Sequence, residues 1–293
     1  MGTAWAMIKT VPFGAMAWKF WLVIGMVIIN WGIEARKWQL LLRTVQPMGF
    51  AKAFKSVLCG VTMSVNIPNR MGEYAGRVLF IDKGKRLTAV SLSIAGGISQ
   101  LIITVMAGCF GILFMLFSKE AIVLDMGLSF LWLKVFLYAS IFIAVVLLLF
   151  FFRMGSLVRL AGRLPYGKRI EQYVRVLESF DAKILLRLLS LSLCRYLVFI
   201  LQYIFMLELM QVERNYWQSF WLVTVLFWLL SIIPSFAIAE LGIRGTIAKI
   251  LFGYSKNLVG ILAVTFTIWF INLFIPALIG SFLILGIKLK KDK

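Results

Sequence analysis

The thirty-one residues from Leu87 to Phe117 carry no charged side chain, and the twenty-five from Leu128 to Phe152 carry one, Lys134. About 20 apolar residues suffice for a helix to cross the hydrocarbon core of a bilayer. Runs of this length are poor candidates for the half-buried elements of a soluble domain. Hydrophobic residues make up 62 % of the 293-residue chain and charged residues 15 %, against roughly 45–50 % and 25 % in an ordinary globular domain. One or two soluble cores cannot hold that surplus, so it must face lipid. The composition predicts an all-α, polytopic membrane helix bundle forming a single integral membrane domain over 1–293.

Other totals exclude whole classes of chemistry. Histidine is absent, which removes the His general base, the Cys–His nucleophile pair and the His metal site. Cys59, Cys109 and Cys194 lie far apart in apolar runs, without metal-ligand spacing, and read as small buried hydrophobes. No phosphate-binding glycine loop and no acid-rich metal cluster occurs, so neither an enzyme nor a cofactor is expected. The net charge of +19 suits anionic headgroups beside cytoplasmic loops, and no nucleic-acid partner is expected.

Along the chain, apolar runs cover about 13–33, 51–67, 87–117, 128–152, 184–210, 220–233 and 258–287. Segment 153–183 is polar and basic. Within it Ile170, Tyr173, Val174, Leu177 and Phe180 recur at helical spacing, which predicts an amphipathic helix on the membrane face. The segments 34–55, 70–86, 153–187 and 288–293 hold 22 of the 31 Lys and Arg residues, whereas loops 118–127 and 211–216 hold one each. The positive-inside rule therefore makes the first four cytoplasmic and the last two external. One path satisfies this alternation. Segment 51–86 dips in from the cytoplasm as a re-entrant hairpin and returns. Segment 217–256 does the same from outside, and the C-terminus is cytoplasmic.

The two hairpins share a pattern. The first reads Asn66-Ile67-Pro68-Asn69-Arg70-Met71-Gly72-Glu73, with Arg77 four residues after the acid. The second reads Ile233-Pro234-Ser235, then Glu240-Leu241-Gly242-Ile243-Arg244. Paired, proline-interrupted segments of opposite sense are a sequence pointer to a midplane binding site in transporters. Glu73/Arg77 and Glu240/Arg244 fall at i,i+4 and so share a helix face. Two readings stand: ion pairs that hold the hairpins closed, or contacts to a substrate or gate, the default for intramembrane charge. Arg195 lies well inside its span, with Gln202 seven residues on and on the same face. It either snorkels to the interface or joins Arg70, Arg77 and Arg244 in a phosphate clamp. Asn30, Trp269 and Asn272 read as packing or interface features.

Pro68-x-Arg70-x-Gly72-Glu73-x-x-x-Arg77, the Arg195-Tyr196 and Gln202 span, and the late Pro234…Glu240-Leu241-Gly242-x-Arg244 element resemble the lysylphosphatidylglycerol synthase transmembrane-region family of flippase-like proteins. The resemblance runs from Asn30-Trp31 to the last helix, and Pro-x-Arg-x-Gly-Glu is its most specific part. The family usually carries one more helix ahead of the Asn-Trp segment. Its late element usually reads Gly-Gly-x-Gly-x-Arg-Glu, where this chain has Ala237-Ile238-Ala239-Glu240-Leu241-Gly242-Ile243-Arg244. The sequence shows no counterpart of the soluble aminoacyltransferase domain of the bifunctional members, so lysyl transfer is not expected of it.

The resemblance implies movement of an aminoacyl-lipid, or a polyprenyl-phosphate-linked lipid, between the leaflets of a bacterial-type cytoplasmic membrane. The expected function is thus a lipid translocase. Its substrate-binding residues would be Asn66, Pro68, Arg70, Gly72, Glu73, Arg77, Arg195, Gln202, Pro234, Glu240, Gly242 and Arg244, and its partners anionic membrane lipids. The alternatives are an integral-membrane accessory subunit or enzyme of lipid-linked glycan and cell-envelope synthesis, and a non-catalytic scaffold. A homodimer or a cell-envelope biosynthesis partner is compatible with either.

Overall fold

A computed structural model describes residues 14, 16–65, 67, 71–117, 130–156, 158, 173–213, 215–234, 237–255 and 257–291. The described residues form helices and connecting turns, with no strand among them. In chain order the α-helices are α1 (Ala17–Leu41), α2 (Phe50–Ser64), α3 (Gly72–Arg77), α4 (Arg86–Phe117), α5 (Phe130–Phe152), α6 (Ala182–Leu209), α7 (Tyr216–Ile232), α8 (Ala237–Phe252), α9 (Leu258–Trp269) and α10 (Ile275–Lys291). Five helical stretches, Ala17–Thr44, Lys83–Phe117, Phe130–Phe152, Ala182–Leu209 and Leu258–Gly286, are long and apolar enough to cross a membrane. The protein is an all-α, multi-pass membrane helix bundle.

Local chemistry sets several boundaries. Asn215 caps α7 by accepting from the backbone N–H groups of Trp217 and Gln218, and Asn257 caps α9 by accepting from Gly260. Each side chain satisfies donors that the first turn leaves without helical partners. Between α9 and α10 the helix widens into a π turn, Phe270–Phe274, in which Ile275 donates to the Phe270 carbonyl. Pro276 follows at once and has no N–H to give, so the ordinary ladder is interrupted here anyway. The end of α6 closes with Gln211 in the left-handed region, φ 51°. There Val212 donates to the Leu207 carbonyl and Gln211 to that of Glu208, which satisfies carbonyls of the last turn.

By contact the chain divides into two compact units. The first takes Met1–Asn30, Thr104–Phe142 and Tyr196–Ile275; the second takes Trp31–Ile103, Ile143–Arg195 and Pro276–Lys293. Inside the first unit, α4 lies hard against α7. A Cβ on Gly111 would sit 2.2 Å from Thr224 Oγ1, so only glycine allows this approach.

In the second unit α3 lies directly on α2. A Cβ on Gly72 would sit 2.1 Å from the Met63 carbonyl oxygen, and one on Gly76 would sit 2.2 Å from that of Cys59. The expected first hairpin is therefore a pair of helices in backbone contact, with a return arm only six residues long. Ser56 ties it to α1: its hydroxyl accepts from Trp38 Nε1 at 3.1 Å and donates to the Arg77 carbonyl at 2.9 Å. The second hairpin is α7 and α8, and its break falls at Ile233–Pro234 as the sequence predicts.

Three expectations need correction. The first span does not stop near Ile33; α1 continues through Leu41 and buries Glu34, Lys37, Trp38 and Leu41. Lys37 thus leaves the cytoplasmic tally, and Glu34 is no span-end acid. Pairing with Lys37 in the same helix and with Arg77 and Arg195 from other helices offsets the cost that would otherwise end the buried segment at Glu34. Of the amphipathic helix predicted over Ile170–Phe180, residues 170–172 lie outside the described residues; Tyr173 and Val174 are helical, and the helix then tightens into a 3-10 turn, Arg175–Ser179, and gives way to extended backbone at Phe180. Of the cysteines, Cys59 is buried, but Cys109 is half-buried and Cys194 exposed.

Candidate functional site

Helical spacing alone puts Trp31, Glu34 and Trp38 along one face of α1, at i, i+3 and i+7. The second unit brings three cations to that face. The Glu34 carboxylate accepts from Arg77 Nη2 at 2.8 Å through Oε1 and from Arg195 Nη1 at 3.0 Å through Oε2. Lys37 Nζ lies 3.0 Å from the same Oε2. Arg77 Nη2 also donates to Glu73 Oε2 at 2.7 Å, so one guanidinium nitrogen serves two carboxylates. Each arginine lies over an indole of α1: Arg195 is 5.0 Å from the Trp31 ring centre and Arg77 is 5.6 Å from that of Trp38. Weakly hydrated guanidinium groups suit such stacking better than an ammonium does.

Lys37 extends the network. Its ammonium donates to the Gly96 carbonyl at 3.2 Å and to Ser192 Oγ at 3.4 Å. Ser192 and Ser99 share a hydroxyl–hydroxyl bond of 2.9 Å. Glu34, Lys37 and Arg77 each expose 3 % or less of their surface. The Glu73 side chain, at 19 %, is the most accessible of the five charged groups. Among the described residues the cluster therefore joins three cations to two carboxylates. Arg77 Nε has no hydrogen-bond partner. Burying charge is costly unless it is paired and hydrogen-bonded, and here the acids are outnumbered.

The first unit holds two smaller polar groups. Arg244 pairs with Glu240 at i,i+4 and donates to Tyr203 Oη at 3.4 Å, and all three residues are buried. Arg244 Nε, like Arg77 Nε, is without a partner. Separately, Asn30 donates to Asn272 Oδ1 at 3.1 Å, Asn272 donates to Gln202 Oε1 at 3.2 Å, and Gln202 donates to the Val23 carbonyl at 2.9 Å. The π turn carries Asn272 into this chain of amides.

Both predicted i,i+4 pairs are thus present, and Arg77 and Arg195 meet on one carboxylate. Arg244 belongs to the first unit with Glu240 and Tyr203, and Arg70, with Asn66 and Pro68, lies outside the described residues. Gln202 sits in the amide network of the first unit. Gly72 is a packing contact, Gly242 faces open space, and Pro234 is an exposed linker residue.

Sequence reasoning missed Glu34 and Lys37, the centre of the cluster. The available signal was their i,i+3 spacing inside a stretch where Trp31, Ala35, Trp38 and Leu41 continue the apolar periodicity of α1. It was obscured because Arg36 and Lys37 end the uninterrupted apolar run. Comparison with protein-family models, with curated proteins and with solved structures gives no match for this chain.

Proposed function

We propose that the protein is a lipid translocase that moves an anionic phospholipid, aminoacyl-lipid or polyprenyl-phosphate-linked lipid between leaflets of a bacterial-type cytoplasmic membrane, with its C-terminus cytoplasmic. The observation that carries this reading is the Glu34 cluster: three cations converge on one buried carboxylate of a candidate membrane span, and among the described residues the cluster holds three cations and two acids. Intramembrane ionisable residues mark substrate and ion pathways by default. Guanidinium groups match a phosphate in charge and in bidentate geometry. The resemblance to flippase-like proteins agrees with this reading.

In this mechanism a headgroup phosphate takes the place of the more accessible acid, Glu73, on Arg77. Arg77 Nε supplies a further donor, and Arg195 and Lys37 hold the excess charge that the phosphate neutralises. Glu73 recaptures Arg77 when the lipid leaves, so acid and phosphate alternate on one cation. The acyl chains remain in the bilayer throughout.

The test is leaflet exchange of labelled lipids in proteoliposomes, for wild type, Glu73→Gln and Arg195→Gln, each shown to be folded and inserted. Anionic lipids should exchange faster than zwitterionic ones. Losing one charge-assisted hydrogen bond, about 1.5–3 kcal/mol, should slow anionic exchange roughly tenfold to a hundredfold in Arg195→Gln. Absence of exchange for every lipid, or exchange untouched in both folded variants, would sink the proposal.

A further inference from the structure

The face of α8 next to its buried Glu240 and Arg244 is largely open. Gly242, Gly245, Thr246 and Lys249 of α8, with Leu262 and Phe266 of α9, line a groove of about 400 Å³. All of them except Gly245 are exposed or half-buried. That volume is within the roughly 300–1,000 Å³ range of small-molecule sites. The groove owes its width to glycine. A Cβ on Gly242 would meet nothing within 4 Å, and one on Gly245 would already press Leu262 Cδ2 at 3.2 Å.

Its direction follows from the helices. The turn Gly253–Ser255 joins α8 to α9, and the last candidate span begins at Leu258. Lys249, three residues before the end of α8, therefore lies close to the membrane boundary. From there the groove runs inward as far as Leu241 and Phe266. Eight residues along each helix, at 1.5 Å per residue, make about 12 Å. One leaflet of hydrocarbon is about 15 Å thick. The groove is thus an apolar channel of nearly one leaflet's depth with a cation at its outer end. Lys249 makes no ion pair among the described residues.

We infer that this groove holds one acyl chain of a single anionic phospholipid, whose phosphate rests on Lys249. The groove offers water few hydrogen-bond partners, because the Thr246 and Thr265 hydroxyls already donate to the Gly242 and Ile261 carbonyls, and left empty it would forfeit dispersion contacts along both walls. A flexible chain fills it. The ammonium at the boundary selects the headgroup. This inference does not rest on translocation; it requires only that the helices span a bilayer.

The experiment uses the full chain in vesicles of phosphatidylcholine doped with photoreactive phosphatidylglycerol or photoreactive phosphatidylcholine, each with a mid-chain diazirine. Adducts on 241–249 and 258–266 are counted by mass spectrometry against adducts on the lipid-exposed helix α5. The groove should be labelled more than α5 by the anionic lipid. Lys249→Ala should lower the preference for phosphatidylglycerol about fivefold, the effect of one basic residue at an anionic surface. Gly242→Leu, which fills the channel, should remove the excess labelling by both lipids. Thr246→Leu, also at an exposed position, is a second block should the first fail to fold. Three results would overturn the inference: labelling no greater than on α5, a headgroup preference unchanged in Lys249→Ala, or a groove shielded from both lipids, as a second copy of the chain would shield it.

Discussion

Replacing Glu34 with Gln removes the one acid on which Arg77, Arg195 and Lys37 converge. The geometry sets the magnitude. Three charge-assisted contacts of 2.8, 3.0 and 3.0 Å end on its two oxygens. Each is worth about 1.5–3 kcal/mol singly, but they share one carboxylate and cannot be summed. The better guide is the cost of breaking a buried ion network by removing one member, about 3–5 kcal/mol. The variant raises the excess of cations over acids from one to two in a site already closed to water. We expect a loss of that size in reversible unfolding from mixed micelles, followed by tryptophan fluorescence. Arg195→Gln alone should also destabilise. The double variant returns the cluster to an excess of one, so it should be less destabilised than the sum of the singles, by about 0.5–3 kcal/mol. A Glu34→Gln loss below about 0.5 kcal/mol, or strict additivity in the cycle, would refute the reasoning and reduce the cluster to incidental packing.

Two further changes probe the scaffold. Gly76→Ala drives a methyl group into the Cys59 carbonyl, so α3 must move off α2, at a cost of about 1–3 kcal/mol. The same unfolding assay checks it, and an unchanged midpoint would mean that the two helices are not in backbone contact. Outside the spans, Tyr254 donates to Glu213, and burial first, then that hydrogen bond, push its phenol well above the ordinary value near 10. The folded state then keeps a proton that the unfolded chain gives up, so this contribution is intact below about pH 10 and is lost as pH rises further. Wild type should therefore lose more stability than Tyr254→Phe between pH 9 and 11, roughly the window around that value. Parallel curves would show that the pair carries no pH dependence.

Much of the fold was legible because a bilayer imposes simple rules. Apolar length marked the long helices, and charge density marked where they end. Pro234 marked the break between α7 and α8, because it cannot continue the hydrogen-bond ladder of a helix. The failures arose where pairing overrode polarity. Glu34 and Lys37 look like an interfacial flank when read alone, and they are buried because Arg77 and Arg195 arrive from other helices. The reading of Asn30 and Asn272 as helix-packing residues holds, for they bond to each other, and Asn272 to Gln202, within the spans.

The sequence by itself therefore determined what depends on spacing of a few residues: helices long enough to span, and the Glu73–Arg77 and Glu240–Arg244 pairs. A 3.6-residue turn sets those relations wherever the helix is placed. Only the tertiary structure decided which charges meet. Arg77 and Arg195 lie 43 and 161 residues from Glu34 in the chain, a separation that local geometry does not encode. Their meeting depends on glycine contacts that let α3 close on α2, and on α1 running more than a turn past Arg36.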